Sequence, residues 1–275
     1  MNGEIQKTEE NGMTFWGHLE VLRWSIIRVV SVLAVCMAGC FIAMPYIFDT
    51  VILGPASSGF FLYRWLSHLN GGGIFPDFSK DFTVDIININ VAAQFTTHIS
   101  TSFWLSVVIT FPYLIYEAWK FISPALYPRE KKNVRFAFWA GTGMFYLGCA
   151  AGYCIVFPFI FRFLTEYQVS TEIVNQISLN SYMGNFITMI FIMGIVFELP
   201  MLAKVLSALG LVDRQFLKKY RRHAVVVLMV LAAVITPTGD PFTLMVVFVP
   251  LYLLYELSIL MVKGPSPGCT TPGHR

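Results

Sequence analysis

Apolar residues run in long blocks along this chain, and the charged residues gather between them. Six blocks stand out, at 24–44, 98–118, 136–157, 185–209, 223–237 and 242–262. At about 1.5 Å per residue, the first four are long enough to cross a hydrocarbon layer of about 30 Å. Pro45 is expected to end the first. The fifth gives only about 13 residues before Pro237, or roughly 20 Å of helix. The sixth is interrupted by Pro250 and Glu256. A short span lies buried in protein or thins the bilayer around it. TPTGDP (236–241) makes a tight turn between these last two blocks, whether they are true spans or a re-entrant hairpin. The pattern predicts an all-α integral membrane protein: six transmembrane helices, short fifth and sixth spans, and a long first outer loop.

Composition agrees. The chain has 275 residues, 56% hydrophobic and 13% charged, against roughly a quarter charged in a soluble domain. A net charge of +3 does not suggest a nucleic-acid partner. The five cysteines form neither a metal-ligand pattern nor a disulfide framework. No cofactor is implied. Residues 1–23 are polar and acidic rather than a basic segment with an apolar core, so no cleavable signal peptide is expected and the first span stays as an anchor. The domain reading is an N-terminal segment 1–23, a membrane domain 24–263 and a disordered tail 264–275, GPSPGCTTPGHR.

Lysine and arginine fix the expected orientation. With the N-terminus cytoplasmic, 16 of these residues fall on the cytoplasmic side, and only Arg64, Lys80 and Arg162 on the other. Both termini are therefore expected in the cytoplasm. The outer loop 46–97 is long and acidic, and a loop of that length needs a packing partner or a function. Within it VDIININ (84–90) alternates as a short strand or extended segment does. No internal repeat is apparent, which counts against an inverted-repeat transporter.

Ionisable residues inside spans are costly and point to function. Glu198, in IVFELP, lies deep in the fourth span, and Glu256, in LLYELS, lies in the sixth. A protonated carboxyl bonded to a carbonyl freed by Pro200 also accounts for Glu198, and snorkelling to the cytoplasmic surface accounts for Glu256. Glu20, in GHLEVLRW (17–24), is flanked by Arg23 and Arg28, which suggests a local ion pair. Glu130, in FISPALYPREKK (121–132), stands among Arg129, Lys131 and Lys132. Pro128 suits a first helical position, and an acid two residues later favours the helix dipole.

Taken together, HLEVLR (18–23), FISPALYPRE (121–130), FELP (197–200) and TPTGDPF (236–242) resemble the TatC family, a subunit of the twin-arginine protein translocase. The resemblance covers residues 14–263. It implies a receptor core that binds twin-arginine signal peptides of folded precursor proteins and recruits TatA-type, and often TatB-type, single-span subunits. Transport would run on the proton-motive force across the cytoplasmic (inner) membrane, with no enzymatic step. No Walker, HExxH or GxSxG motif occurs.

The family pattern then assigns residues. Glu130, with Glu20, Arg23, Phe121 and Pro124, would form the signal-peptide site. Glu198 would face the groove where partner spans pack, while Pro55 and Asp240 match structural positions on the periplasmic side. Val21 stands where the family acid usually sits, with Glu20 one residue earlier, and Leu244 stands where many relatives carry glutamine. Self-association and contact with membrane lipids are expected. The alternative from another class is a proton-coupled secondary transporter using Glu198 and Glu256.

Overall fold

The computed structural model describes residues 15–57, 59, 60, 62, 63, 84, 86–122, 128–167, 170, 175–236 and 238–262. The expected tail 264–275 and the segment 1–14 lie outside the described residues. Helix dominates, as the apolar blocks demand. Helices α1 (Phe15–Ile47) and α2 (Ala93–Ile122) pack along each other; α3 (Pro128–Ala151) leads through a π-helical turn, Gly152–Val156, into α4 (Phe157–Glu166). Then come α5 (Leu179–Val196), α6 (Leu199–Ala208), the single-turn α7 (Arg214–Lys219), α8 (Arg221–Ile235) and α9 (Pro241–Met261).

Among the described residues, five stretches are long and apolar enough to cross a membrane: Leu19–Ala56, Ala93–Phe121, Phe138–Glu166, Leu179–Ala208 and Pro241–Met261. Between the last two stands α8, 15 residues long and so only about 22 Å. A helix of the short length expected for the fifth span thus stands at this place. The sixth is not short: α9 runs 21 residues, straight through Pro250 and Glu256, about 31 Å. In a bilayer, neighbouring helices and side chains can accommodate an internal proline.

The first span also departs from expectation. It starts at Phe15 rather than at 24 and passes through Pro45. Pro45 has no N–H to offer Phe41, four residues earlier. His98 of α2 supplies the missing donor, with its Nε2 2.8 Å from the Phe41 carbonyl oxygen and its ring stacked on Phe41 at 4.0 Å. Beyond Ile47 the helix loosens into a π turn, Phe48–Ile52, and then a 3-10 turn, Gly54–Ala56. Three tyrosine hydroxyls bond to the carbonyls of that irregular end. Tyr153 donates to Val51 at 2.8 Å, Tyr182 to Ile52 at 2.5 Å and Tyr63 to Pro55 at 2.9 Å. Backbone groups without water need such partners.

The core gathers around the same end, where Phe157, Phe161, Tyr182 and Phe186 meet edge to face or stacked. Nearer the middle, α3 and α5 cross at glycines. A Cβ on Gly148 would stand 2.6 Å from the Met193 carbonyl oxygen, and one on Gly194 2.7 Å from Cys149 Sγ. Small residues allow this close backbone approach, from which membrane helices draw packing energy.

The expected extended segment is a strand. β1 (Ile86–Ile87) pairs in parallel with β2 (Ile177–Ser178), Ile86 opposite Ile177. Each strand leads into a helix, β1 into α2 and β2 directly into α5, where Ser178 caps the first turn. Parallel strands launch α2 and α5 from one end of the molecule in the same direction.

Candidate functional site

At the end opposite the strands lie the start of α1, the end of α2 and the start of α3. Glu20 and Arg23 are exposed on the first turns of α1. Phe121 is half-buried at the last turn of α2. Glu130 lies on the first turn of α3, which opens at Pro128 as the sequence predicts. Pro124 lies outside the described residues, and so does the side chain of Glu130.

The local ion pair expected of Glu20 with flanking Arg23 or Arg28 does not form among the described residues. Arg28 reaches instead across to α2, donating from Nε to Glu117 Oε1 at 3.0 Å and from Nη2 to Oε2 at 2.9 Å. Tyr113 donates to Oε1 at 3.1 Å, and Ser25 Oγ accepts from Arg28 Nη2 at 3.1 Å. Glu117 is buried. The sequence reading does not single out Glu117, although an acid inside an apolar run is the same signal that picks out Glu198. The pairing itself spans 89 positions and leaves no local trace.

Glu198 stands at the break between α5 and α6, as the N-cap of α6, but its side chain caps nothing. Pro200 in the next turn explains the break. Oε1 is enclosed and has no hydrogen-bond partner among the described residues. Oε2 lies 2.7 Å from where a Cβ on Gly141 of α3 would stand, so a glycine there makes the slot that holds the carboxyl. An unpaired carboxyl in an apolar bundle is available to a partner that brings a polar group.

Glu256 is engaged: Arg221 Nη2 donates to its Oε2 at 2.7 Å, joining α8 to α9. Asp240 is the N-cap of α9. It accepts from the Thr243 N–H at 2.9 Å, the Thr243 hydroxyl at 2.7 Å and the Thr238 hydroxyl at 2.6 Å. Partial burial works against its charged form, yet these hydrogen bonds prevail and hold its carboxyl below the usual aspartate range. Pro55 is buried in the 3-10 turn, its carbonyl taken by Tyr63. Arg162, which the sequence reading counts only as a loop charge, is fully buried in α4, bonded to Glu166 at 2.7 Å and stacked over Tyr63. Among the described residues no group of three or more His, Cys, Asp or Glu could hold a metal.

This polytopic helical bundle has counterparts among known proteins. The family model described as Sec-independent protein translocase protein (TatC) matches residues 17–250. The TatC of Blattabacterium sp. subsp. Periplaneta americana is 36% identical over 258 residues, 92% of this chain and 96% of that one. The TatC of Helicobacter pylori is 32% identical over 250 residues, 91% and 87% of the two chains. The crystal structure of the twin arginine translocase receptor TatC in DDM superposes with a TM-score of 0.72 at 25% identity, covering 90% of this chain and 99% of that one. The protein is a multi-pass membrane component of a protein translocase, a non-catalytic transport subunit. More particularly, the chain belongs to the TatC family, and with it to the Tat pathway of protein translocation.

Proposed function

We propose that this chain is the receptor core of a twin-arginine translocase. It binds signal peptides carrying paired arginines at the cytoplasmic face and recruits TatA-type subunits, with a TatB-type subunit where one exists, to move folded proteins by the proton-motive force. It sits in the cytoplasmic (inner) membrane with both termini inside, as the distribution of 16 basic residues against three favours.

The observation that carries the reading is the convergence of three helix ends. The start of α1 with Glu20 and Arg23, the end of α2 with Phe121 and the start of α3 with Glu130 share one end of the bundle. A carboxylate there takes a guanidinium through two parallel bonds, whereas an ammonium is a less directional point charge. Basic neighbours of Glu130 keep the loop in the cytoplasm, and the acid remains the recognition element. Phe121 offers apolar or cation–π contact, and Pro124 belongs to the same proposed site. Glu198, unpaired at its helix break, is the intramembrane contact for a partner span. Pro55 and Asp240 build the opposite face. The carrier alternative loses support, because Glu256 is occupied by Arg221.

Peptide binding to the purified chain in detergent or vesicles tests the assignment. Changing the ligand's Arg-Arg to Lys-Lys, or Glu130→Gln in the receptor, should each weaken binding sharply. Unchanged binding in both cases would remove the site.

A further inference from the structure

We propose that the Arg28–Glu117 ion pair is a positioning element of the arginine-reading site, setting the rotation and depth of the start of α1 against the end of α2. The inference rests on the receptor reading above and names two residues which that reading does not use. The pair sits just inside the candidate site. Glu117 precedes Phe121 by one turn, about 6 Å, and Arg28 follows Glu20 by about 12 Å of helix.

Few side chains are buried at this end of α1, and the Phe41–His98 contact with α2 lies about 20 Å further along the helix. Trp24, Ile26 and Ile27 are 52%, 54% and 40% exposed, whereas Ser25, which joins the pair, is 6% exposed. In an 18-residue apolar window of the first span only 6% of residues are buried within the chain. Held there mainly by apolar contacts with α2, the start of α1 can turn or shift against it, and each residue of slippage turns a side chain by about 100°. Apolar contacts with α2 tolerate such slippage. A two-pronged bond from a planar guanidinium to a buried carboxylate does not. Buried charge pairs contribute little net stability compared with apolar residues, and their best-attested use is to specify register. Tyr113 and Ser25 complete the arrangement, bonding to Glu117 and Arg28 respectively. Glu20 and Arg23 are then presented toward Phe121 and Glu130 in one orientation.

The test uses the full chain, with Arg-Arg and Lys-Lys signal peptides and thermal unfolding measured side by side. Arg28→Gln and Glu117→Gln should each weaken Arg-Arg peptide binding about tenfold and reduce the preference for Arg-Arg over Lys-Lys, while the charge swap Arg28→Glu with Glu117→Arg recovers most of both. Arg28→Lys keeps the charge but not the fork, and it carries the test should the glutamine variants unfold; it should lose preference before it loses stability. A pair that only glues the helices would lower the unfolding temperature and leave the peptide preference untouched. That result, or a folded swap that does not recover the preference, overturns the inference. Glu130→Gln run in parallel separates the two failures. If Glu130→Gln and Lys-Lys weaken binding but the Arg28 and Glu117 variants do not, positioning alone is wrong. If Glu130→Gln and Lys-Lys also have no effect, the receptor site itself is wrong.

Discussion

His98 bonds to the carbonyl of Phe41 because Pro45 cannot. One imidazole from α2 lets α1 pass a proline without breaking, and the stacked rings hold the two helices in contact at that level. His98→Leu should leave a backbone carbonyl unpaired in an apolar setting and cost about 1–3 kcal/mol. Adding Pro45→Ala restores the N–H and should return most of the loss. Thermal unfolding in detergent of the single and double variants measures both. An equal loss with and without Pro45→Ala would mean that the bond is not what matters.

The α3–α5 crossing offers a contrast between two glycines of one helix. A Cβ on Gly148 would come within 2.6 Å of a backbone oxygen, whereas Gly143 has nothing within 4 Å. Gly148→Ala should destabilise by about 1–3 kcal/mol through overpacking. Gly143→Ala should be neutral or gain up to about 1 kcal/mol from helix propensity. Comparable effects at the two positions would contradict the close crossing.

Asp240 gives the stability a pH dependence with a definite sign. Its folded carboxyl titrates below the ordinary aspartate range, so the unfolded chain takes up the proton first as pH falls. The contribution is therefore complete above the ordinary aspartate range and is lost as pH drops through the folded value. Asp240→Ala should cost about 1 kcal/mol at neutral pH through loss of the cap. Asp240→Asn keeps an acceptor for the Thr243 N–H and should flatten the acid limb of the unfolding profile. An unchanged acid limb in Asp240→Asn would assign that limb to other carboxylates.

Glu198 and Gly141 make a linked pair of variants. Glu198→Ala should leave signal-peptide binding within about twofold while weakening cross-links to a TatA-like span, because a carboxyl at a helix break is exchanged without touching the opposite end. Gly141→Ala would push its Cβ into the space of Oε2 and drive the carboxyl out of its slot. Its cross-linking pattern should therefore change even though the acid is still present. Loss of peptide binding with intact cross-links would reverse the proposed division of labour.

Much of the fold could be read from hydrophobic blocks, because a bilayer allows few ways to satisfy the backbone. The short α8 followed from the distance between His223 and Pro237, and the strand at Ile86 from the alternation around it. What the sequence hid were compensations made from afar. Pro45 reads as a terminator and Pro250 as an interruption because proline breaks a helix locally, whereas α1 is completed past Pro45 by a histidine 57 positions away. Arg28 looked like a partner for nearby Glu20 for the same reason, and its actual partner lies on another helix. At the candidate site Glu198 was legible as an acid among apolar residues. The glycine that makes room for it was not, since Gly141 acquires meaning only when α3 is laid against the α5–α6 break.

The two-residue strand pair carries a consequence for how the chain is made. β1 is synthesised some 90 residues before β2, which at about 5–20 residues per second is a wait of several seconds or more. Through that interval the edge of β1 has no mate, and the first outer loop must stay out of trouble without its closing contact. Closing this strand pair therefore belongs to the segment that delivers α5. A ribosome stalled before residue 177 would leave the earlier helices inserted but β1 without its partner strand.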